Sequence, residues 1–521
     1  MKKLSLLSIG LIVSCNSAQK SVSETTLSRT TTIASPVEYA MTITEEDLKG
    51  HLYIYASDDF EGRETGKPGQ KKAVAYIQKQ YEELGIPGAK KDGTYFQKVP
   101  LEMSKVPSGH ISINGTRFDL GKDFVTFSSL ISEYQEFAFL GFGIETETYS
   151  DFNGIDVQDK LILVEVGEPL NEDGTYKLTG TNEKSLWSNF NESVSKRMEI
   201  AAKKGARGIL IHDSKNFSRL KARYDFIKRS DRSVMNLADE NTDKMAAIFI
   251  GDEMANALLE AIDPNGTLHT VPMKILANIK NENQNIDSEN VVAVLKGSEK
   301  PNEYVVISSH LDHIGINADG QINNGADDDG SGTVALFEIA EAFKTASAAG
   351  NGPKRSIVFL HVTGEEKGLL GSKYYTDHEP LFPLSNTVAN LNIDMIGRID
   401  PKREGNRNYI YLIGSDKLSI DLHNLSEEVN KEYTNIELDY TFNDENDPNR
   451  FYYRSDHYNF AKNNIPIIFY FNGTHADYHR PGDTPDKINY DLLENRTRLI
   501  FYTAWEVANR PKKVVVDKMA K

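Results

Sequence analysis

Five short segments in the second half of this chain carry imidazole and carboxylate side chains at spacings suited to holding cations. The first, Ser309 to Gly332, reads SHLDHIGINADGQINNGADDDGSG. An apolar run from Tyr304 to Ile307 leads into His310, Asp312 and His313, and a Gly-rich loop follows with Asp327, Asp328 and Asp329. Imidazole with carboxylate suits zinc and related divalent ions, and a strand end feeding such a loop is where an open α/β sheet places its chemistry. Further on, HVTGEEKGLLGS sets Glu365 and Glu366 just past a second apolar run, and NLNIDMIGR puts Asp394 inside a third. RSDHYNF carries Asp456 and His457, and YHRPGDT carries Tyr478 and His479.

Asp394 is the most telling of these residues taken singly. An isolated carboxylate in a buried strand is costly, so it needs a salt bridge or a metal, and the neighbouring segments favour the metal. Glu365 and Glu366 point in different directions at a strand end, so one can bind a cation while the other meets an activated water as general base. An adjacent Glu pair on a solvated helix would mean nothing; here it follows a strand and precedes the small residues of GLLGS. Physical reasoning does not choose among Asp327, Asp328 and Asp329. His212, alone after a strand, reads as structural.

These residues need a scaffold, and the chain alternates strands and helices from about Lys274. Val291–Leu295, Tyr304–Ile307, Ser356–Val362, Leu391–Ile396, Tyr409–Ile413 and Ile467–Phe471 read as strands, with helices over Val334–Phe343 and Leu492–Val507. Strands apolar on both faces and separated by helices imply an α/β fold: a mainly parallel mixed sheet covered by helices on both faces. Helices are also expected from Thr44 onward and over about 73–84, ending at Gly85. Between them, the loop Gly62 to Gly69 admits two readings, a wall of a substrate pocket or a plain polar turn. From about 106 to 271 the texture becomes strand-rich, with one helix at about Val194–Lys204 and a hairpin at Asn114-Gly115. The expected organisation is a catalytic domain over 42–105 and 272–510, an inserted β-rich domain over 106–271, and a C-terminal tail over 511–521.

At 521 residues, with 39% hydrophobic and 26% charged residues, the chain should be mostly globular with more than one domain. Its net charge of -17 makes nucleic acid an unsuitable partner, because phosphate binding needs a basic surface. Cys15 is the only cysteine, which excludes an intrachain disulfide and a cysteine-based zinc site. Lys2 and Lys3, the apolar stretch Leu4 to Val13 and then Ser14-Cys15 have the build of a secretory signal. Ile12 to Cys15 resembles a bacterial lipobox, which implies acylation at Cys15, export, and a lipid anchor in the bacterial cell envelope with the catalytic body outside the cytoplasm. The Ser/Thr-rich residues 16–41 then read as a flexible tether.

HLDH, GADDDGSG, GEEKGLLGS, DMIGR and YHRPGDT, in this order, resemble the co-catalytic two-zinc aminopeptidases, the clan that also holds glutamate carboxypeptidase and the glutaminyl cyclases. The resemblance covers nearly all of residues 44 to 510 and implies the zinc exopeptidase fold. DFNGIDVQDKLILVEVGEP with KRMEIAAKKGARGILIH resembles the protease-associated domain of secreted peptidases. Matched motif by motif, the resemblance implies His310 and Asp394 on one zinc, Glu366 and His479 on the other, and Asp328 bridging two zinc ions. It implies Asp312 orienting His310, Glu365 as general base, and Tyr478 at the position of a tyrosine that polarises the substrate carbonyl in some members. His313 and His361 match no family ligand and are read as pocket-lining or structural; Asp456 and His457 are read as pocket support, and Arg398 as paired with a nearby acid. The expected substrates are peptides, cleaved at the N-terminus. A carboxypeptidase or dipeptidase of the same clan and a non-catalytic receptor-like protein are the alternatives.

Overall fold

The computed structural model describes residues 35–230, 233–238, 245–262, 269–403 and 405–519. Cys15 and its signal lie outside the described residues. Pro36–Lys521 forms one compact unit.

Among the described residues its larger sheet has nine strands. From edge to edge they are Glu437–Asp439, Tyr409–Ile413, Ile467–Phe471, Thr387–Ile393, Lys300–His310, Arg355–Val362, Asn283–Leu295, Phe96–Ser104 and Val234–Leu237. The four strands from Ile467–Phe471 to Arg355–Val362 run parallel to one another, and the strands flanking them join antiparallel, so the sheet is mixed around a parallel centre. Every residue of Arg355–Val362, Thr387–Ile393 and Ile467–Phe471 is buried. Successive side chains point to opposite faces, so both faces are covered. The helices Gly332–Ala348 and Tyr490–Asn509 pack on the sheet and on each other, with Phe343 stacked on Trp505 at 5.9 Å.

Four boundaries differ from the sequence expectation. Packed structure is present ahead of 42: Val37–Ala40 is helical, Tyr39 stacks on Trp505 at 5.7 Å and Ala40 is buried. At the other end, residues 511–519 are no loose tail: Val514 is buried and Asp517 donates its backbone N–H to Leu418 O. The strand Val234–Leu237, from within the insertion, joins the larger sheet by pairing with Phe96–Ser104. The long strand His269–Lys280 belongs to the second sheet, so the insertion runs on to about 280.

That second sheet has, among the described residues, eight strands, of which four neighbours run parallel, Leu130–Phe139, Leu161–Glu165, Gly208–His212 and Ala246–Ile250. Parallel neighbours require crossovers, which Phe190–Lys203 and Ser214–Arg229 supply; with Asp252–Leu259 the insertion has three helices among the described residues where the sequence suggested one. The helix Ser214–Arg229 escaped notice because it buries only Leu220 and Tyr224, too few for a clear apolar period. The Asn114-Gly115 hairpin forms, with φ of 47° and 89° at its two turn residues.

Candidate metal centre

The four parallel central strands deliver their carboxyl ends to one side of the sheet, where ligands bind in open α/β folds. His310 ends its strand, Asp394 follows Ile393, Glu365 and Glu366 lie three and four residues past Val362, and His479 lies in the loop after Phe471. Asp394 therefore sits just beyond its strand and not inside it. Asp328 arrives from a wide turn, Ala326–Ser331, that opens the helix Gly332–Ala348.

Asp328 holds the centre of the cluster. Its Oδ1 is 3.1 Å from His310 Nε2, and its Oδ2 is 3.1 Å from His479 Nε2. Around the first oxygen, His310 Nε2 also lies 3.6 Å from Asp394 Oδ1; around the second, His479 Nε2 is 3.2 Å from Glu366 Oε2. His310 Nδ1 donates to Asp312 O at 2.9 Å, which leaves Nε2 as the nitrogen with a lone pair. His310 Nε2, Asp328 Oδ2 and Glu366 Oε1 are buried without a hydrogen-bond partner. Close approach without hydrogen-bond geometry, among buried polar atoms, is what ligand atoms around a shared cation display. The residues present fit divalent cations: ligand atoms of His310, Asp329 and Asp394 come together in one group and those of His313, Asp328 and Glu366 in another, with His479 beside Asp328 and Glu366.

Electrostatics agree with that fit. Burial alone would raise the Asp328 carboxyl, yet His313, His310 and His479 hold it well below the usual range. Burial would lower His479, but Asp328 and Glu366 raise it to about 10. Glu366 is drawn down to about 2 against its burial, by His313 and His479. Burial would likewise lower His310, and Glu365, Asp328 and Asp394 hold it well above the ordinary value. Imidazoles gripped by carboxylates in this way release protons when a cation replaces them.

The remaining residues divide by what they touch. Burial pushes Glu365 well above the usual carboxylate range, opposed by His310 and reinforced by Asp394 and Glu366. Tyr478 stacks on His479 with ring centroids 3.9 Å apart; burial and the charges of Asp328 and Asp394 raise its phenol, which stays protonated. Asp312 meets His310 through its backbone carbonyl and not its carboxylate, whose Oδ1 accepts from Glu365 N at 3.2 Å and whose Oδ2 accepts from Thr65 Oγ1 at 2.6 Å. The sequence reading put Asp312 against His310 without specifying which of its groups makes the contact, and here it is the backbone carbonyl. His361 is held by Tyr81 Oη at 2.8 Å and Ser309 Oγ at 3.2 Å, away from the ligand atoms. His212 lies between Glu165 and Asp252 in the insertion. Asp456 accepts from Ser372 Oγ, and His457 Nε2 donates to Tyr452 O at 2.8 Å. Arg398 pairs with Asp477 at 2.9 Å and lies 3.6 Å from Asp483.

Sequence reasoning missed four features of the centre. His313, read as pocket-lining, is fully buried with Nδ1 2.9 Å from Glu366 Oε1 and 3.7 Å from Asp328 Oδ2. Asp329 accepts from the backbone N–H groups of His310, Gly332 and Met395, tying three segments together with oxygens that are then occupied. A Cβ at Gly332 would fall 2.4 Å from the Asp329 carboxylate, so this approach requires glycine. Asp327 accepts from Gly397 N at 2.6 Å and lies 3.3 Å from His475 Nε2. Asp483 accepts from both Asp327 N and Asp328 N, at 3.0 and 3.2 Å. The apparent excess of aspartates was the available signal: each extra carboxylate has backbone donors to satisfy.

A parallel-centred α/β sheet that gathers two neighbouring groups of imidazole and carboxylate at its strand ends presents a donor set suited to divalent cations. Residues 290–504 match the model of Peptidase family M28. It is 28% identical over 261 residues to a probable leucine aminopeptidase 2 of Aspergillus oryzae, covering 44% of this chain and 47% of that protein. A probable glutamate carboxypeptidase of Arabidopsis thaliana is 35% identical over 106 residues, 20% of this chain and 14% of that one. The chain thus spans about half the length, or less, of these curated relatives. An aminopeptidase from Aneurinibacillus sp. strain AM-1 aligns over 93% of this chain and 98% of its own, with a TM-score of 0.46 and 20% identity.

Proposed function

We propose that the protein is a zinc-dependent aminopeptidase that removes N-terminal residues from peptides. The observation that carries the reading is the placement of the two Asp328 oxygens, each 3.1 Å from a different imidazole. The donor set would suit two zinc ions, which His310 and Asp394 on one side and Glu366 and His479 on the other would hold, with Asp328 within reach of both. Bound in pairs, such ions supply Lewis acidity and a water acidic enough to attack at neutral pH. Glu365, kept basic by its surroundings, takes the proton of the attacking water and returns it to the leaving amine. The Tyr478 hydroxyl donates to the oxygen on which negative charge develops. Asp312 holds Glu365 by its backbone N–H and His310 by its own carbonyl.

The excess of carboxylate around the centre favours the ammonium end of a peptide over its carboxylate end. Arg398, the arginine that the sequence offered for a substrate carboxylate, pairs with Asp477 and lies 3.6 Å from Asp483. That weighs against the carboxypeptidase alternative, and the placement of Glu365 beside the ligand set weighs against a receptor-like protein. Export and lipid attachment at Cys15 complete the reading and rest on the sequence. None of the helices among the described residues is long and apolar enough to cross a membrane.

Purified protein loaded with zinc and presented with aminoacyl-nitroanilides, N-blocked dipeptides with free C-termini and N-terminal glutaminyl peptides separates the alternatives. The expected result is hydrolysis of the aminoacyl-nitroanilides with no cleavage of the N-blocked dipeptides and no cyclisation of the glutaminyl peptides, the hydrolysis being abolished by chelator and restored by zinc. Cleavage of the N-blocked dipeptides, or turnover that survives chelation, overturns it.

A further inference from the structure

The loop between the first two long helices reaches the centre from far away in sequence. Glu61, Gly62 and Arg63 have φ of 52°, 66° and 51° in succession. A left-handed backbone at two non-glycine residues is unfavourable and persists where the surroundings over-determine it. Here they do. His313 N donates to Arg63 O and Gly315 N to Gly62 O, at 3.2 and 3.0 Å. The buried Arg63 guanidinium donates to Asn324 O at 2.6 Å and Gly325 O at 2.8 Å, at the entrance to the Asp328 turn. A Cβ on Gly62 would lie 2.4 Å from Asn323 O. Glu64 pairs with Lys367, the residue after Glu366.

This backbone course delivers one side chain to the catalytic carboxylates. Thr65, 2% exposed, donates its hydroxyl at 2.6 Å to Oδ2 of Asp312, which is wholly buried. The other oxygen of that carboxylate receives the backbone N–H of Glu365 at 3.2 Å. Asp312 thus works as a clip with one end on Thr65 and the other on the main chain of the base. A buried carboxylate without its Thr65 donor is free to turn about χ2, and the Glu365 N–H loses a fixed acceptor.

We propose that Thr65 is a positioning residue for Glu365, acting through the Asp312 carboxylate. The proposal rests on the reading of Glu365 as general base, and its test has one arm that does not. Thr65→Val removes the hydroxyl and keeps the shape, and Thr65→Ser restores the donor. In the full-length metal-free protein, hydrogen exchange is followed by mass spectrometry on the peptide covering 363–369. Thr65→Val is expected to speed exchange at Glu365 about tenfold, with Thr65→Ser close to the parent.

With zinc loaded, Thr65→Val should lower kcat about 10- to 100-fold while KM stays within about threefold and zinc content is unchanged, and Thr65→Ser should recover most of kcat. Parental exchange in Thr65→Val overturns the proposal. So does a kcat within about threefold of the parent, a failure of serine to rescue, or a parallel loss of zinc. A parent protein inert on every peptide substrate sinks the peptidase reading instead, and the exchange comparison still decides the link from Thr65 to Glu365.

Discussion

Replacing Glu365 with Gln isolates the proton transfer from everything else the centre does. The amide keeps the shape of the side chain and removes its basicity, and Glu365 is not among the residues whose ligand atoms converge on Asp328. In the parent, burial with the negative charges of Asp394 and Glu366 pushes this carboxyl well above the ordinary range, against the opposing pull of His310. A carboxylate so raised is a stronger base near neutral pH, which is where a general base works best. Losing it should cost about 10²- to 10⁴-fold in kcat, equivalent to about 2.7–5.4 kcal/mol of barrier. The assay is steady-state hydrolysis of an aminoacyl-nitroanilide across pH, beside zinc analysis of the same preparation. The rate of Glu365→Gln should lie below the parent rate by that factor at every pH assayed, with zinc content unchanged. A variant within about threefold of the parent, or one that has lost its zinc, would refute the assignment of the base.

Asp483 accepts two buried backbone N–H groups, those of Asp327 and Asp328. Asp483→Ala leaves both unsatisfied, which should cost about 2–4 kcal/mol of stability and weaken zinc about 10- to 100-fold, measured by denaturation and by competition with a chromophoric chelator. In the insertion, the hydrogen bond to Glu165, against burial and with help from Asp252, raises His212 from 6.5 to about 9. A raised folded-state value stabilises fully below pH 6.5 and loses its contribution as pH climbs through 9. The shift corresponds to roughly 3 kcal/mol; because Asp252 is 70% exposed, solvent screening reduces that to about 1–2 kcal/mol. The destabilisation caused by His212→Leu should therefore be larger at pH 6 than at pH 9.5, and equal losses at both would contradict the ion pairs. For the anchor, Cys15→Ser should move the protein from the membrane pellet to the soluble fraction, and persistent pelleting would remove lipid attachment from the account.

Much of the catalytic framework was legible because burial on two faces leaves a strong mark on sequence. Ile467–Phe471 and Tyr409–Ile413 are apolar throughout, and the structure has strands over those residues. The insertion was harder to read, since a helix such as Ser214–Arg229 turns most of its surface to water and shows little apolar period. At the centre, residue type and position picked out segments that the structure brings together. What sequence could not show was the direction of each hydrogen bond. Asp312 reaches His310 through its carbonyl, Asp329 spends its carboxylate on three backbone donors, and Thr65 arrives from 247 residues away. Such partners are settled by tertiary geometry, where a polar residue in a loop looks the same whether it braces a site or faces solvent. His313 is the sharpest instance: its neighbour Glu366 lies on another strand end, and nothing local distinguishes it from a pocket wall.

Anomalous scattering at the zinc edge from crystals of the zinc-loaded protein tests the central claim most directly. Two peaks about 3.5–4 Å apart are expected, one beside His310 and Asp394 and the other beside Glu366 and His479, with Asp328 between them. A single peak, or a pair of ions that Asp328 does not span, would contradict the account.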